Sequence, residues 1–311
     1  MVTKELKDRL TKQQYGFTGE HSAVKICNWT KRSLKDDGVC YKEKFYGIKS
    51  HRCCQITPSV GFCQNRCIFC WREIDLNEGT GEISETATNI KLDEPEDIIE
   101  ESIKQHRMLL TGFGGNERVN MEKFREAQDP NQFAISLTGE PTLYPRLNEL
   151  IKSLKRRDSS VFVVSNGLCP EAIRNMEPPT QLYVSLEASD EEDFLKIVRP
   201  GISGAWEKLM QSLDALRSIE CKTALRITVI KGINMKDPEK FGELIKKASP
   251  TYVEVKAYMH VGASRERLKK ENMPSHEEIR DFSAKIARSC GYDIKDEQEE
   301  SLVVLLEDTN T

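Results

Sequence analysis

"FCQNRCIFCW", residues 62–71, places Cys63, Cys67 and Cys70 on one short stretch of chain. Three thiols are one fewer than a structural zinc site or a fully ligated four-iron cluster takes. A zinc site would recruit a fourth Cys or His nearby, yet no His occurs between His51 and His106, and no second CxxC-type pair follows. Arg66 and Arg72 flank the loop and favour thiolates, which zinc and iron both require. An iron–sulfur cluster with one iron left open fits the count, and an open iron can hold a small molecule.

Outward from this loop the chain reads as alternating strands and helices. "CQITPSV" precedes it, and "FAISL" (133–137), "VFVVS" (161–165), "LYVSL" (182–186), "ALRITVI" (224–230) and "YVEVKAYM" (252–259) follow. Between them lie amphipathic stretches such as "EPEDIIEESIKQHRMLL", "YPRLNELIKSLKRR", "AWEKLMQSLDALRSI", "DPEKFGELIKKA" and "SHEEIRDFSAKIARS". Asp237-Pro238 reads as an N-cap with a first-turn proline, and Ser275 with Glu278 as a capping box. Such alternation predicts an α/β fold with a parallel sheet. Six strands are too few for a full eight-fold barrel but enough for an open one or a partial TIM-type barrel of about six βα units, and in such folds ligand groups gather where strands end. Four strand ends carry such groups: the cysteine loop, Gly139-Glu140-Pro141, Ser165-Asn166-Gly167 and Glu187-Ala188-Ser189.

With 38% hydrophobic and 31% charged residues, no apolar run near 18 residues and a polar start, the 311-residue chain is expected in the cytoplasm, away from membranes. Thiols there stay reduced, so its ten cysteines need a reason other than disulfides. Seven lie between Cys27 and Cys70; Cys169, Cys221 and Cys290 are scattered, as small buried hydrophobes are. Residues 1–72 hold 14 Lys/Arg against 6 Asp/Glu, whereas the whole chain is at −4. A basic, cysteine-rich end suits an anionic partner such as nucleic acid, or a solvated face. Upstream, Cys27, Cys40 and Cys53 are each separated by twelve residues. They read as core thiols, as a zinc site with a recruited ligand, or as a second three-thiol cluster, with Cys53 or Cys54 as its last ligand.

The pattern Cys63-xxx-Cys67-x-Phe69-Cys70 resembles the CxxxCxΦC signature of the radical S-adenosylmethionine superfamily. The resemblance implies a 4Fe–4S cluster on these three thiols, with S-adenosylmethionine chelated at the open iron and cleaved by one electron to methionine and a 5′-deoxyadenosyl radical. Gly139, Glu140 and Pro141 resemble the GGE motif that meets the methionine amino group. Proline replaces the final acid, so backbone carbonyls could make that contact. Ser165, Asn166, Ser185 and Glu187 fall where the superfamily holds the methionine carboxylate and ribose. Phe69 falls near the adenine, and Arg226 in the same pocket.

"TPSVGFCQNRCIFCWR", "SLTGEPTLYP", "PTQLYVSLEAS", "RITVIKGINM" and "EVKAYMHVGASRERLKKENMPSHEE" narrow the likeness to the archaeal wyosine-forming branch, over about residues 20–285. That branch converts N1-methylguanosine next to the anticodon of tRNA(Phe), with pyruvate, into 4-demethylwyosine, a tricyclic base of the wyosine/wybutosine pathway. The likeness favours Cys53 over Cys54 and implies two 4Fe–4S clusters. It also implies an external flavodoxin- or ferredoxin-like electron donor and a pyruvate held by a lysine or an open iron. Lys42, two residues after Cys40, is the first candidate for a Schiff base and Lys49 the second. Lys25 to Arg72 and "SRERLKK" (264–270) are expected to face RNA. Residues 1–55 then form an extension holding the auxiliary cluster, 56–290 the partial barrel, and 291–311 a closing strand and tail. Another radical enzyme with an auxiliary cluster, acting on a non-tRNA substrate, is the alternative.

Overall fold

The computed structural model describes residues 2–84 and 90–308. It divides into two compact units, Met1–Cys63 with Leu76–Val164, and Gln64–Asp75 with Ser165–Thr311. In the first, β1 (Gly16–Phe17), β2 (Ala23–Lys25) and β3 (Cys53–Thr57) pair antiparallel. From β3 the pairing turns parallel, through β4 (Gln132–Ile135) to β5 (Ser160–Ser165). Every residue of β4 is buried, as expected of a strand covered on both faces. The helices Pro95–Leu110 and Leu147–Lys155 occupy two of the predicted helical stretches. The N-terminal helix Lys4–Lys12 presents Leu6 and Leu10 to a core that also contains Val60 and Leu137. Apolar burial thus braces the start of the cysteine loop and the end of the β4 segment together.

In the second unit, β6 (Gln181–Ser185), β7 (Lys222–Val229) and β8 (Tyr252–Ala257) run parallel in that order. With β3 to β5 they occupy the six predicted strand positions. β10 (Val303–Glu307), the strand expected in "SLVVLLE", pairs antiparallel with β8, and β9 (Asp293–Gln298) pairs with β10. The sequence "DIKDEQ" hides β9 because it lies at an outer edge, where charged side chains can face solvent. The helices Pro238–Ala248 and His276–Cys290 pack through an edge-to-face Phe241–Phe282 contact. The predicted capping box is present, with Ser275 and Glu278 each accepting from the other's backbone N–H. Asp237 does not cap its helix by a side-chain hydrogen bond. Its backbone is left-handed (φ 50°), and its carboxylate lies 3.6 Å from Lys240 Nζ instead. No helix among the described residues is long and apolar enough to cross a membrane.

Candidate functional site

Each unit carries its own part of the predicted chemistry. In the first, β3 delivers the chain into the loop ending at Cys63. Two tethers hold that loop. His21, fully buried, has Nδ1 2.6 Å from the Pro58 carbonyl and accepts at Nε2 from the Asp93 amide, so the proton sits on Nδ1. From the β4 side, the Glu140 amide donates to the Phe62 carbonyl at 2.7 Å. That approach requires glycine at 139, where φ is +68° and a Cβ would come within 1.8 Å of the Ser59 carbonyl oxygen. The buried Glu140 carboxylate turns back on its own turn and accepts from the Thr142 amide and hydroxyl. Pro141 opens the 3₁₀ turn that follows. The Gly-Glu-Pro motif therefore sets the backbone beside the cysteine loop, while the acid organises the turn.

The same unit gathers the upstream cysteines. Cys27 and Cys40 immediately precede the short helices Asn28–Ser33 and Tyr41–Tyr46, and Cys53 opens β3. Ser50 knots the segments together. Its carbonyl accepts from Thr30 Oγ1, its hydroxyl from the Cys40 amide, and its own amide donates to Glu43. Burial pushes the Cys53 thiol far up, Cys27 and Cys40 lie close enough to push it further, and Lys42 pulls it back. Cys53 keeps some accessible surface, whereas Cys54, its neighbour on the strand, is fully buried. Successive strand side chains point to opposite faces, and Cys27 and Cys40 act electrostatically on Cys53, whereas Cys54 feels only Cys53.

The two candidate lysines separate. Lys42 Nζ lies 4.9 Å from the centre of the Phe162 ring, within electrostatic reach of Cys53. Lys49 is exposed, with Nζ 3.1 Å from Glu126, a carboxylate held at about 2 by hydrogen bonds from His51 and Lys49.

In the second unit, Cys67 and Cys70 sit on one tight turn, closed by the Cys70 amide on the Cys67 carbonyl, with half-buried Phe69 between them. The Arg66 and Ile68 amides bond carbonyls of residues 197–199. Gln64, 2% exposed, accepts from Asn166 Nδ2 and directs its own amide at Cys169 Sγ, each at 3.0 Å. Its side chain ties the loop to the turn after β5. There Asn166 Oδ1 accepts from the Leu168 amide and Ser165 Oγ from the Gly167 amide. Two residues beyond β6, Glu187 is buried and accepts from the Thr228 amide at 2.8 Å and its hydroxyl at 3.2 Å. Arg226 grips the fully buried Glu254 through Nε and Nη2, with its guanidinium 4.9 Å from the Tyr183 ring centre. Ser185, at the end of β6, adds a hydrogen bond to Glu187.

Burial raises the Glu187 carboxyl from 4.5 to about 7, against the Thr228 bonds, the Arg226 charge and Ser185. Between pH 4.5 and 7 the folded chain keeps this proton while the unfolded chain releases it, so stability falls as pH rises through that window. Above 7 the whole cost, on the order of 3 kcal/mol, is present. Glu187→Gln is therefore expected to abolish this slope and to unfold at higher denaturant than the parent at pH 8. Urea midpoints measured at pH 5, 6, 7 and 8 would test this; parallel curves would contradict it.

Four supporting residues were invisible to motif reading: His21, Ser50, Gln64 and Arg267. Arg267 lies in the "SRERLKK" stretch expected to face RNA, but it turns inward, donating from Nε to the Ile68 carbonyl and from Nη2 to the Cys70 carbonyl. Ser264 is buried, and Arg265, Glu266, Lys269 and Lys270 are the exposed members of that stretch.

The donors suit iron–sulfur clusters. Thiolates are the donors that such clusters take.

A cysteine loop at the end of a parallel strand, followed by glycine-gated and polar strand ends, defines a radical S-adenosylmethionine protein, and residues 57–245 match the model of that superfamily. Residues 247–308 match a second model, wyosine base formation. The chain is 46% identical over 310 residues to the S-adenosyl-L-methionine-dependent tRNA 4-demethylwyosine synthase of Pyrococcus abyssi, covering 98% of this chain and 89% of that one. It is 42% identical to the Methanocaldococcus jannaschii protein, covering 100% and 98%. A solved structure of TYW1 with a lysine–pyruvate adduct bound superposes with a TM-score of 0.90 at 40% identity, covering 100% of this chain and 98% of that one. An archaeal TYW1 crystal structure gives 0.81 at 36% identity, with the same coverage. The chain belongs to the tRNA 4-demethylwyosine synthase family.

Proposed function

We propose that this chain joins the N-methyl carbon of 1-methylguanosine, next to the anticodon of tRNA(Phe), to two carbons of pyruvate, with loss of the pyruvate carboxylate carbon and condensation with the exocyclic amine closing the third ring, forming 4-demethylwyosine in the cytoplasm. One 4Fe–4S cluster sits on Cys63, Cys67 and Cys70 and a second on Cys27, Cys40 and Cys53. The observation that carries this reading is the gathering of the upstream thiols around Cys53 with Lys42 among them. A radical enzyme needs only the downstream trio; a pyruvate-condensing one also needs a place to hold and polarise a keto acid.

The downstream cluster, when bound with S-adenosylmethionine, supplies the electron that opens the sulfonium bond and so yields the radical that takes hydrogen from the guanine methyl group. The chain does the positioning. Backbone groups of Gly139, Glu140 and Pro141 receive the methionine amino group. Ser165, Asn166, Ser185 and Glu187 hold its carboxylate and the ribose, Phe69 packs on the adenine, and Arg226, fixed by Glu254, contributes a permanent positive charge. The Lys42 amine attacks C2 of pyruvate and water leaves, giving an iminium that accepts the incoming carbon more readily than the ketone. The lysine–pyruvate adduct of the structural relative supports this use of a lysine. Lys49, paired with Glu126, is the less suited of the two.

Residues 1–55 serve as the auxiliary-cluster extension, 56–290 as the radical barrel and 291–311 as its closing strand and tail. Basic residues between Lys25 and Arg72 face the RNA backbone, and the modified base is drawn out of its stack to be reached. Electrons come from a separate flavodoxin- or ferredoxin-like protein. The reduced protein should make tricyclic base only when methylated tRNA and pyruvate are both present. Equal S-adenosylmethionine consumption with neither, and no base formed with both, would instead favour a non-tRNA substrate.

A further inference from the structure

The turn bearing Cys67 and Cys70 is gripped on both its N–H and its carbonyl side. The amides of Arg66 and Ile68 bond the chain at residues 197–199, whereas the carbonyls of Ile68 and Cys70 are taken by one guanidinium, that of Arg267, nearly two hundred residues away in sequence. Arg267 is firmly mounted. Its amide bonds the Ser264 carbonyl, and Ser264, fully buried, donates to the Val261 carbonyl at 2.6 Å and lies 3.1 Å from the hydroxyl of the equally buried Tyr258. Beside it, the Ala263 amide donates to the Trp71 carbonyl at 3.1 Å. Gly262 makes that contact possible, since its φ is +58° and a Cβ there would stand 2.3 Å from the same oxygen. Three consecutive features of one segment, a glycine, an amide and an arginine fork, therefore meet the loop just where its last cysteine lies.

We propose that Arg267 is a positioning residue for the radical centre: its planar fork fixes the Ile68 and Cys70 carbonyls and so sets the orientation and electrostatic surroundings of the Cys67–Cys70 turn when the cluster is bound. This rests on the reading that Cys63, Cys67 and Cys70 hold that cluster. The guanidinium is always charged and donates to two carbonyls at once from a rigid fork that lysine lacks. A fixed positive charge beside a group that becomes more negative on reduction favours the reduced state, and hydrogen bonding around such clusters tunes their potential. The segment lies within the stretch that matches the wyosine base formation model.

The test uses the anaerobically reconstituted holoenzyme, reading the EPR signal that changes on adding S-adenosylmethionine. Arg267→Gln is expected to keep its iron content but to shift that signal, lower its midpoint potential and weaken S-adenosylmethionine binding about tenfold, the usual scale for supporting residues of metal sites. More 5′-deoxyadenosine should be released per tricyclic base formed. Arg267→Lys should restore most of the potential, which needs only charge, but not the cosubstrate affinity, which needs the fork. An Arg267→Gln protein with parental signal and affinity overturns the proposal. If that variant fails to fold or load, Arg267→Lys decides, because it keeps the charge and removes the fork. Weakened cosubstrate binding there supports the proposal and parental binding overturns it. Absence of any S-adenosylmethionine-responsive signal in the parent protein would mark failure of the cluster reading itself.

Discussion

Lys42→Ala should stop formation of tricyclic base while leaving S-adenosylmethionine cleavage by the reduced protein intact. The expected loss is on the order of a thousandfold or more, the scale contributed by holding a reactant in place. The geometry makes the prediction specific. Lys42 stands on the short helix begun by Cys40, its ammonium over Phe162 and within electrostatic reach of Cys53, on which Cys27 and Cys40 also act. Lys49→Ala should cost little, because that side chain is exposed and engaged with Glu126. Borohydride added with pyruvate should leave the mass of the reduced adduct on the peptide containing Lys42. Trapping on Lys49, or none at all with full activity in Lys42→Ala, would move pyruvate to another anchor.

How much of this was legible in the sequence depends on the range over which each feature is determined. The six parallel strands announce themselves because each is a short run of β-branched and aromatic residues bounded by helical stretches. The capping box at Ser275 is likewise local. Asp237 misled because its left-handed backbone, which no composition reveals, turns the carboxylate away from the helix. The helices at 28–33 and 41–46 are too short to show a periodicity, and β9 carries edge charges where a buried strand would carry valines. The upstream cysteines stand out by their spacing, but what packs their segments together does not. Ser50 binds three segments through backbone and hydroxyl bonds that exist only once those segments meet. Gln64 and Arg267 act across about one hundred and about two hundred residues, the range at which tertiary packing overrides local pattern. Arg267 sits in a basic stretch that looks like an RNA contact, and its inward turn follows from the buried Ser264 beneath it.

The two cysteine trios should prove chemically separable. Reconstituted anaerobically, the parent chain is expected to hold about eight irons with matching sulfide, two clusters' worth. Replacing Cys27, Cys40 and Cys53 together with alanine should leave about four irons and retain S-adenosylmethionine cleavage, but lose the tricyclic product. Replacing Cys63, Cys67 and Cys70 should also leave about four irons, yet lose cleavage and product alike. The asymmetry follows from position. The upstream trio gathers at the start of β3 with Lys42, whereas Cys67 and Cys70 share a separate tight turn. Cys54→Ser should keep the full iron complement, because its thiol is fully buried on the opposite face of β3 from Cys53. Iron and sulfide assays, with zinc measured on the same samples, give the answer directly. One zinc per trio and no sulfide would return both sites to a structural role, and loss of iron in Cys54→Ser would exchange the ligand at the head of β3.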